Sequence, residues 1–137
     1  RTKHGAVLVS ESNNIISSAY NGFVGGIDDK ILPNNGPDKY QFMNHSELNC
    51  ILNCAKNGIS TKNTTIYITG APCSSCLQMM WAAGISKIVH GSRKSVMLES
   101  DEQKINREIF MFLTQNNLPI ISVNFDETDA ARILKCV

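Results

Sequence analysis

Near the start of the chain the hydrophobic positions come in two short runs. Gly5 to Ser10 (GAVLVS) and Ile15 to Tyr20 (IISSAY) predict two strands, and Glu11-Ser12-Asn13-Asn14 between them predicts a turn, hence a hairpin. Asn21-Gly22 ends the second strand. Residues 23–44 carry Gly25-Gly26, Asp28-Asp29, Pro33 and Asn34-Asn35-Gly36-Pro37 with little periodicity, which predicts a long loop. Loops of that length in compact domains are usually functional or disordered. Over 46–57 the apolar residues Leu48, Ile51, Leu52 and Ala55 recur at i, i+3, i+4 and i+7, the spacing of a helix with one apolar face. Asn57-Gly58 supplies its stop. Thr64 to Thr69 predicts a third strand, and Gly70-Ala71-Pro72 turns into a helix from about Cys73 to Ala83, stopped by Gly84. The KIVH run predicts a fourth strand, Ser92 to Leu98 a loop, and Glu99 to Asn116 a long helix with Ile105, Ile109, Phe112 and Leu113 on one face. Pro119 to Phe125 predicts a fifth strand and Glu127 to Cys136 a last helix.

The order β-β-α-β-α-β-α-β-α predicts an α/β fold of three layers, a five-stranded mixed sheet with helices on both faces. The later β-α-β units should be parallel, right-handed crossovers. Ligands in such sheets sit beyond the carboxyl ends of the strands, where helices begin.

Composition narrows the picture without choosing a function. The chain has 137 residues, with 42% hydrophobic and 18% charged, so one folded domain spanning 1–137 is expected. Thirteen basic and twelve acidic side chains leave a net charge of +1. That balance creates no global field toward nucleic acid or an anionic membrane. No stretch has the roughly 18 apolar residues of a membrane span, and no signal-peptide pattern opens the chain. A cytoplasmic setting is the expectation. Arg1 rather than Met comes first and the pattern starts with a strand, so we expect chain before Arg1.

The five cysteines stand at positions 50, 54, 73, 76 and 136. Without a secretion signal, metal binding or catalysis is favoured over a disulfide framework. Two of the cysteines belong to a longer motif. His45-Ser46-Glu47 and Pro72-Cys73-Ser74-Ser75-Cys76 together read H-x-E-x24-P-C-x-x-C, each half opening a predicted helix. This pattern is the established signature of zinc nucleobase deaminases. Its chemistry is intelligible. A catalytic zinc uses three protein ligands and leaves one position for water. Cys73 and Cys76, at i and i+3, lie on one side of a helix's first turn. The positive end of the helix dipole favours both thiolates there. His45 is the third ligand. Zinc lowers the pKa of its bound water to about 7. Glu47 is too close to His45 to be a second ligand on the same regular helical face. If His45 precedes the helix, or sits in an irregular first turn, Glu47 can reach that water and carry protons to a leaving amine.

Rival readings of the cysteines exist. A lone C-x-x-C is also a structural-zinc or redox motif. Cys50 and Cys54, at i and i+4, could complete a closed four-cysteine site, but His45 and Glu47 would then have no role. Cys50 and Cys54 read more simply as small buried apolar residues, Cys136 as an inert tail cysteine, and His4 and His90 as ordinary core or loop residues.

Beyond the zinc motif, the sequence resembles the deoxycytidylate (dCMP) deaminases of the cytidine deaminase superfamily. Arg1-Thr2-Lys3-His4-Gly5-Ala6-Val7-Leu8-Val9 is similar to their R-T-x-V-G-A-V-I-V opening, and Ala19-Tyr20-Asn21-Gly22 to their G-Y-N-G. Asp28-Asp29 with Leu32-Pro33 resembles a D-D-x-x-L-P stretch of some members, and His45 to Ile51 resembles H-A-E-x-N-A-I. The resemblance runs from residue 1 to about 90. It implies a cytidine deaminase-like fold and hydrolytic deamination of dCMP to dUMP and ammonia. It also implies Glu47 as the catalytic group, one zinc on His45, Cys73 and Cys76, Asn21 on the deoxyribose, and backbone near Ala71 at the cytosine edge. Tyr20-Asn21-Gly22 with Glu47-x-Asn49 points to dCMP deaminases in particular, and places Asn49 among the substrate-binding residues. Further implications are an N-terminal helix before Arg1 and a homohexamer. Mg2+-bound dCTP would activate it and dTTP inhibit it, near the Tyr20-Asn21-Gly22 loop.

There are departures. Ser46 stands where the family has Ala, His4 where it has an apolar residue, and Ala19 where it has Gly. Residues 23–44 contain no Cys or His, so the second zinc of some relatives is not expected. Where many relatives place a phosphate-binding Tyr after the fourth strand, this chain has His90-Gly91-Ser92-Arg93-Lys94-Ser95, closer to the G-A-R-D loop of tRNA adenosine deaminases. Arg93 and Lys94 are the candidate phosphate ligands, with Ser92 and Ser95 as further donors. Two other functions compete. A nucleic-acid base deaminase usually carries surplus Lys and Arg, whereas here the last predicted helix has only Arg132 and Lys135. A catalytically silent zinc-binding regulator is disfavoured by an intact Glu47.

Overall fold

The computed structural model describes residues 3–35, 37–91, 101–116 and 120–122. The first hairpin forms as its pattern dictates. Strand β1 (Gly5–Val9) pairs antiparallel with β2 (Ile15–Tyr20), Ala6 opposite Ala19, with an irregularity between Leu8 and Val9. The turn closes by Ser10 N–H donating to Asn14 O at 2.9 Å, and Asn13 takes a positive φ of 61°. Asparagine tolerates that region better than a branched side chain does.

The segment expected to be a long loop contains short elements. Strand β3 (Gly22–Phe23), a 3-10 turn at Asp29–Ile31, helix α1 (Asp38–Gln41) and strand β4 (Met43–Asn44) occupy it. β3 and β4 pair antiparallel, Gly22 opposite Asn44. This pairing brings the end of the first hairpin beside the residues that precede His45.

Helix α2 (Ser46–Lys56), strand β5 (Thr65–Ile68), helix α3 (Ser74–Ala82), strand β6 (Lys87–His90), helix α4 (Asp101–Gln115) and strand β7 (Ile120–Ser122) follow. Glycine ends both of the first two of these helices. Gly58 and Gly84 adopt φ of +65° and +78°, the left-handed conformation that stops a helix without a Cβ penalty. The main sheet has five strands in the order β2-β1-β5-β6-β7. β1 is antiparallel to β5, whereas β5-β6 and β6-β7 are parallel, so the sheet is mixed. The α/β class expected from the element order is observed. The last predicted helix, 127–136, lies outside the described residues.

One face of the sheet carries the core. Ala6, Leu8, Ile66, Ile68 and Ile88 meet Cys50 and Cys54 of α2 and Cys76, Leu77 and Met80 of α3, and Leu113 of α4 packs against the same cluster. Two helices turn inward a different face from the one their apolar spacing predicts. On α2 the buried residues are Ser46, Glu47, Cys50 and Cys54, whereas Leu52 is 46% exposed and Ala55 is exposed. The helix sits close to β1 and β2, where small side chains fit, and Ser17 Oγ donates to Cys50 O at 2.8 Å across that contact. On α4 Leu113 turns inward, but Ile105 and Phe112 face outward, Phe112 with 65% exposure.

Candidate metal centre and active site

Two helix N-termini converge at the site. His45 is the N-cap of α2, extended at φ −69° and ψ 156°, and its carbonyl receives the Asn49 N–H at 3.0 Å. Cys73 is the N-cap of α3, extended at φ −74° and ψ 165°, and its carbonyl receives the Leu77 N–H at 3.0 Å. The buried Pro72 precedes it and biases the chain to extended entry. His45 therefore stands just outside its helix, the arrangement in which Glu47 can share the same space without binding the same ion.

His45 Nδ1 lies 3.6 Å from Cys73 Sγ and 3.4 Å from Cys76 Sγ. All three donor atoms fall within 4.8 Å of one another. A tetrahedral zinc with Zn–S of about 2.3 Å and Zn–N of about 2.0–2.1 Å sets such atoms roughly 3.5–3.8 Å apart. The donor set and its spacing fit zinc. Among the described residues no other group of three His, Cys, Asp or Glu side chains is close enough to share an ion.

The electrostatics of the cluster suit a cation. The Cys73 pKa is lowered to about 4, first because the Cys76 thiol hydrogen-bonds to its sulfur, then through His45 and the Cys76 backbone N–H, with burial opposing. The Cys76 N–H reaches Cys73 Sγ at 3.4 Å. Cys76 is pushed in the opposite direction by the same hydrogen bond, by burial and by the Glu47 charge. Cys73 also raises the pKa of His45, by hydrogen bonding and then by charge, against a lowering by burial.

Cys50 and Cys54 do not join the cluster. Cys50 and Cys54 are fully buried in the core, Cys50 Sγ lies 3.9 Å from Ala6 O, and burial pushes the Cys50 thiol up. A thiol held neutral among apolar groups is a poor metal ligand. Cys50→Ala and Cys54→Ala are each expected to leave zinc at about one per chain by elemental analysis; a halved content would reinstate them as ligands.

Glu47, in the first turn of α2, is 5% exposed, and its Oε2 accepts a hydrogen bond from Ser46 Oγ at 2.9 Å. Asn21 follows β2 and is locked to the start of β1: its N–H donates to His4 O at 3.1 Å and its Oδ1 accepts the His4 N–H at 2.9 Å. Asn49 is engaged on both sides of its amide. Nδ2 donates to Tyr20 O at 3.0 Å, and Oδ1 accepts from Asn44 Nδ2 at 3.1 Å. It braces the turn that carries Asn21 against α2 and β4. Ala71 is half-buried between Gly70 and Pro72. Ser92, Arg93, Lys94 and Ser95 lie outside the described residues. The bracing by Asn44 and His4 was not legible in the motifs, since it runs through backbone atoms and a two-residue strand.

An α/β sheet with a His-Cys-Cys cluster at two helix N-termini and a buried carboxylate beside it defines the class of zinc-binding deaminase domains. Residues 1–92 match the cytidine and deoxycytidylate deaminase zinc-binding region, and the chain belongs to that family. The human deoxycytidylate deaminase is 34% identical over 112 residues, covering 77% of this chain and 61% of the human protein. A probable deoxycytidylate deaminase of Drosophila melanogaster is 34% identical over 104 residues, covering 68% of this chain and 50% of that protein. The chain thus spans roughly half to three fifths of these relatives. The crystal structure of dCMP deaminase from the cyanophage S-TIM5 in complex with dCMP and dUMP superposes with a TM-score of 0.65, at 22% identity, covering 90% of this chain and 82% of that one. That likeness concerns the fold.

Proposed function

We propose that the chain catalyses hydrolytic deamination of dCMP, with water entering at the amine-bearing ring carbon and ammonia leaving, to give dUMP. The observation that carries the proposal is the spacing of His45 Nδ1, Cys73 Sγ and Cys76 Sγ, with buried Glu47 two residues from His45. We assign His45, Cys73 and Cys76 as the zinc ligands. Zinc held by this donor set supplies Lewis acidity that makes water nucleophilic near neutral pH. Glu47 accepts a proton from the attacking water and returns one to the departing amine. Burial of Glu47 keeps bulk water from competing for that proton. Asn21, held by His4 and by the turn that Asn49 braces, binds the deoxyribose. Backbone at Ala71 meets the cytosine edge. Family membership and the names of the human and insect relatives support the substrate. On the same family resemblance we propose a homo-oligomer, a hexamer, controlled by Mg2+-bound dCTP and by dTTP near Tyr20-Asn21-Gly22. Among the described residues no helix is long and apolar enough to cross a membrane.

The direct test is product analysis. Zinc-loaded protein with dCMP should release dUMP and ammonia one for one, and dCMP recovered intact would defeat the proposal. The 5′-phosphate is assigned to Arg93 and Lys94. Replacing both by Ala is expected to lower dCMP turnover tenfold or more while leaving slow deoxycytidine turnover nearly unchanged. Equal loss on both substrates would indicate misfolding, and no loss on either would place the phosphate elsewhere.

A further inference from the structure

Ser46 separates the metal-site histidine from the buried carboxylate. It is completely buried, and its hydroxyl donates to Glu47 Oε2 at 2.9 Å. Neighbouring residues on a helix do not ordinarily face each other, since their side chains diverge by about 100°. A hydrogen bond between them therefore selects particular rotamers of both. A serine hydroxyl inside a helix commonly bonds to the carbonyl four residues back. Ser46 is the first residue of α2, so no helical carbonyl stands there, and its donor goes to the carboxylate instead. The bond makes the two oxygens of Glu47 unlike. Oε2 is committed to Ser46, whereas Oε1 makes no hydrogen bond among the described residues. A buried carboxylate with a single charge-assisted hydrogen bond from a buried donor is held in one orientation.

We infer that Ser46 is a positioning residue: it pins Glu47 through Oε2 so that Oε1 is the oxygen that exchanges protons with water and the leaving amine. The inference rests on the deaminase reading for its catalytic consequence, but the pinning itself is a property of the chain. Alanine at this position would keep the helix and leave Glu47 free to turn away.

The test compares wild type, Ser46→Ala, Glu47→Gln and the double variant, all zinc-loaded. Ser46→Ala should lower kcat on dCMP by about tenfold, the size expected of one hydrogen bond to a charged group, with KM within twofold and zinc still about one per chain. In the Glu47→Gln background the same change should alter the residual rate less than twofold. Crystal structures of wild type and Ser46→Ala supply a readout independent of turnover. Glu47 should occupy one rotamer in the first and a different or divided one in the second. An unchanged Glu47 conformation, or an unchanged kcat, would overturn the inference. So would an equal loss in both backgrounds, since a merely structural serine would act alike in each. A wild type inert toward dCMP would defeat the deaminase reading, and the two crystal structures would still decide the role of Ser46.

Discussion

Glu47→Gln is expected to keep the fold and the metal while losing nearly all turnover. Glutamine has nearly the volume of glutamate and can still accept the Ser46 hydroxyl, so the first turn of α2 should remain in place. What it lacks is a site that takes up a proton and gives it back. Loss of a positioned acid-base group costs about 10²–10⁴-fold in rate. The carboxylate is 5% exposed, so buffer cannot readily replace it. Steady-state ammonia release, with zinc content and melting temperature measured alongside, checks the prediction. Activity above a tenth of wild type in a zinc-loaded variant would remove Glu47 from the mechanism.

The second large effect concerns the metal. Cys76→Ala is expected to lower zinc from about one per chain to below a tenth, and turnover should disappear with it. Cys76 is buried in the core, and its sulfur stands 3.4 Å from His45 Nδ1. Removing it leaves two donors where a catalytic site needs three. Cys73 remains as the N-cap of α3, so the helix should persist by circular dichroism. Chelator should likewise abolish turnover in the wild type, and added Zn2+ should restore it. Full zinc occupancy in Cys76→Ala would refute the ligand assignment.

The legibility of this fold in its sequence differs from one element to the next. The hairpin was readable because its alternation and its Asn13-Asn14 turn are local, and the helix stops were readable because glycine is the residue that takes positive φ. The grouping of His45, Cys73 and Cys76 was readable because both halves of the motif sit at helix starts, where the topology brings them together. The inward face of α2 was misread for a physical reason. Periodicity weighs apolar character, whereas the close approach of α2 to β1 and β2 selects small side chains, so Ser46, Cys50 and Cys54 go in and Leu52 stays out. The β3-β4 pair was invisible because two-residue strands carry no period and their partners lie some twenty residues apart. The family resemblance places Asn49 among the substrate-binding residues; that its amide also holds Tyr20 and Asn44 is an arrangement that only the folded chain reveals.

Ammonia release by the zinc-loaded protein from dCMP, deoxycytidine, dCTP and an adenosine-bearing tRNA stem-loop, side by side, decides the substrate. dCMP should be deaminated at least tenfold faster than the other three, and the rate should vanish in Glu47→Gln. Deamination of the stem-loop with dCMP left untouched would overturn the assignment of dCMP.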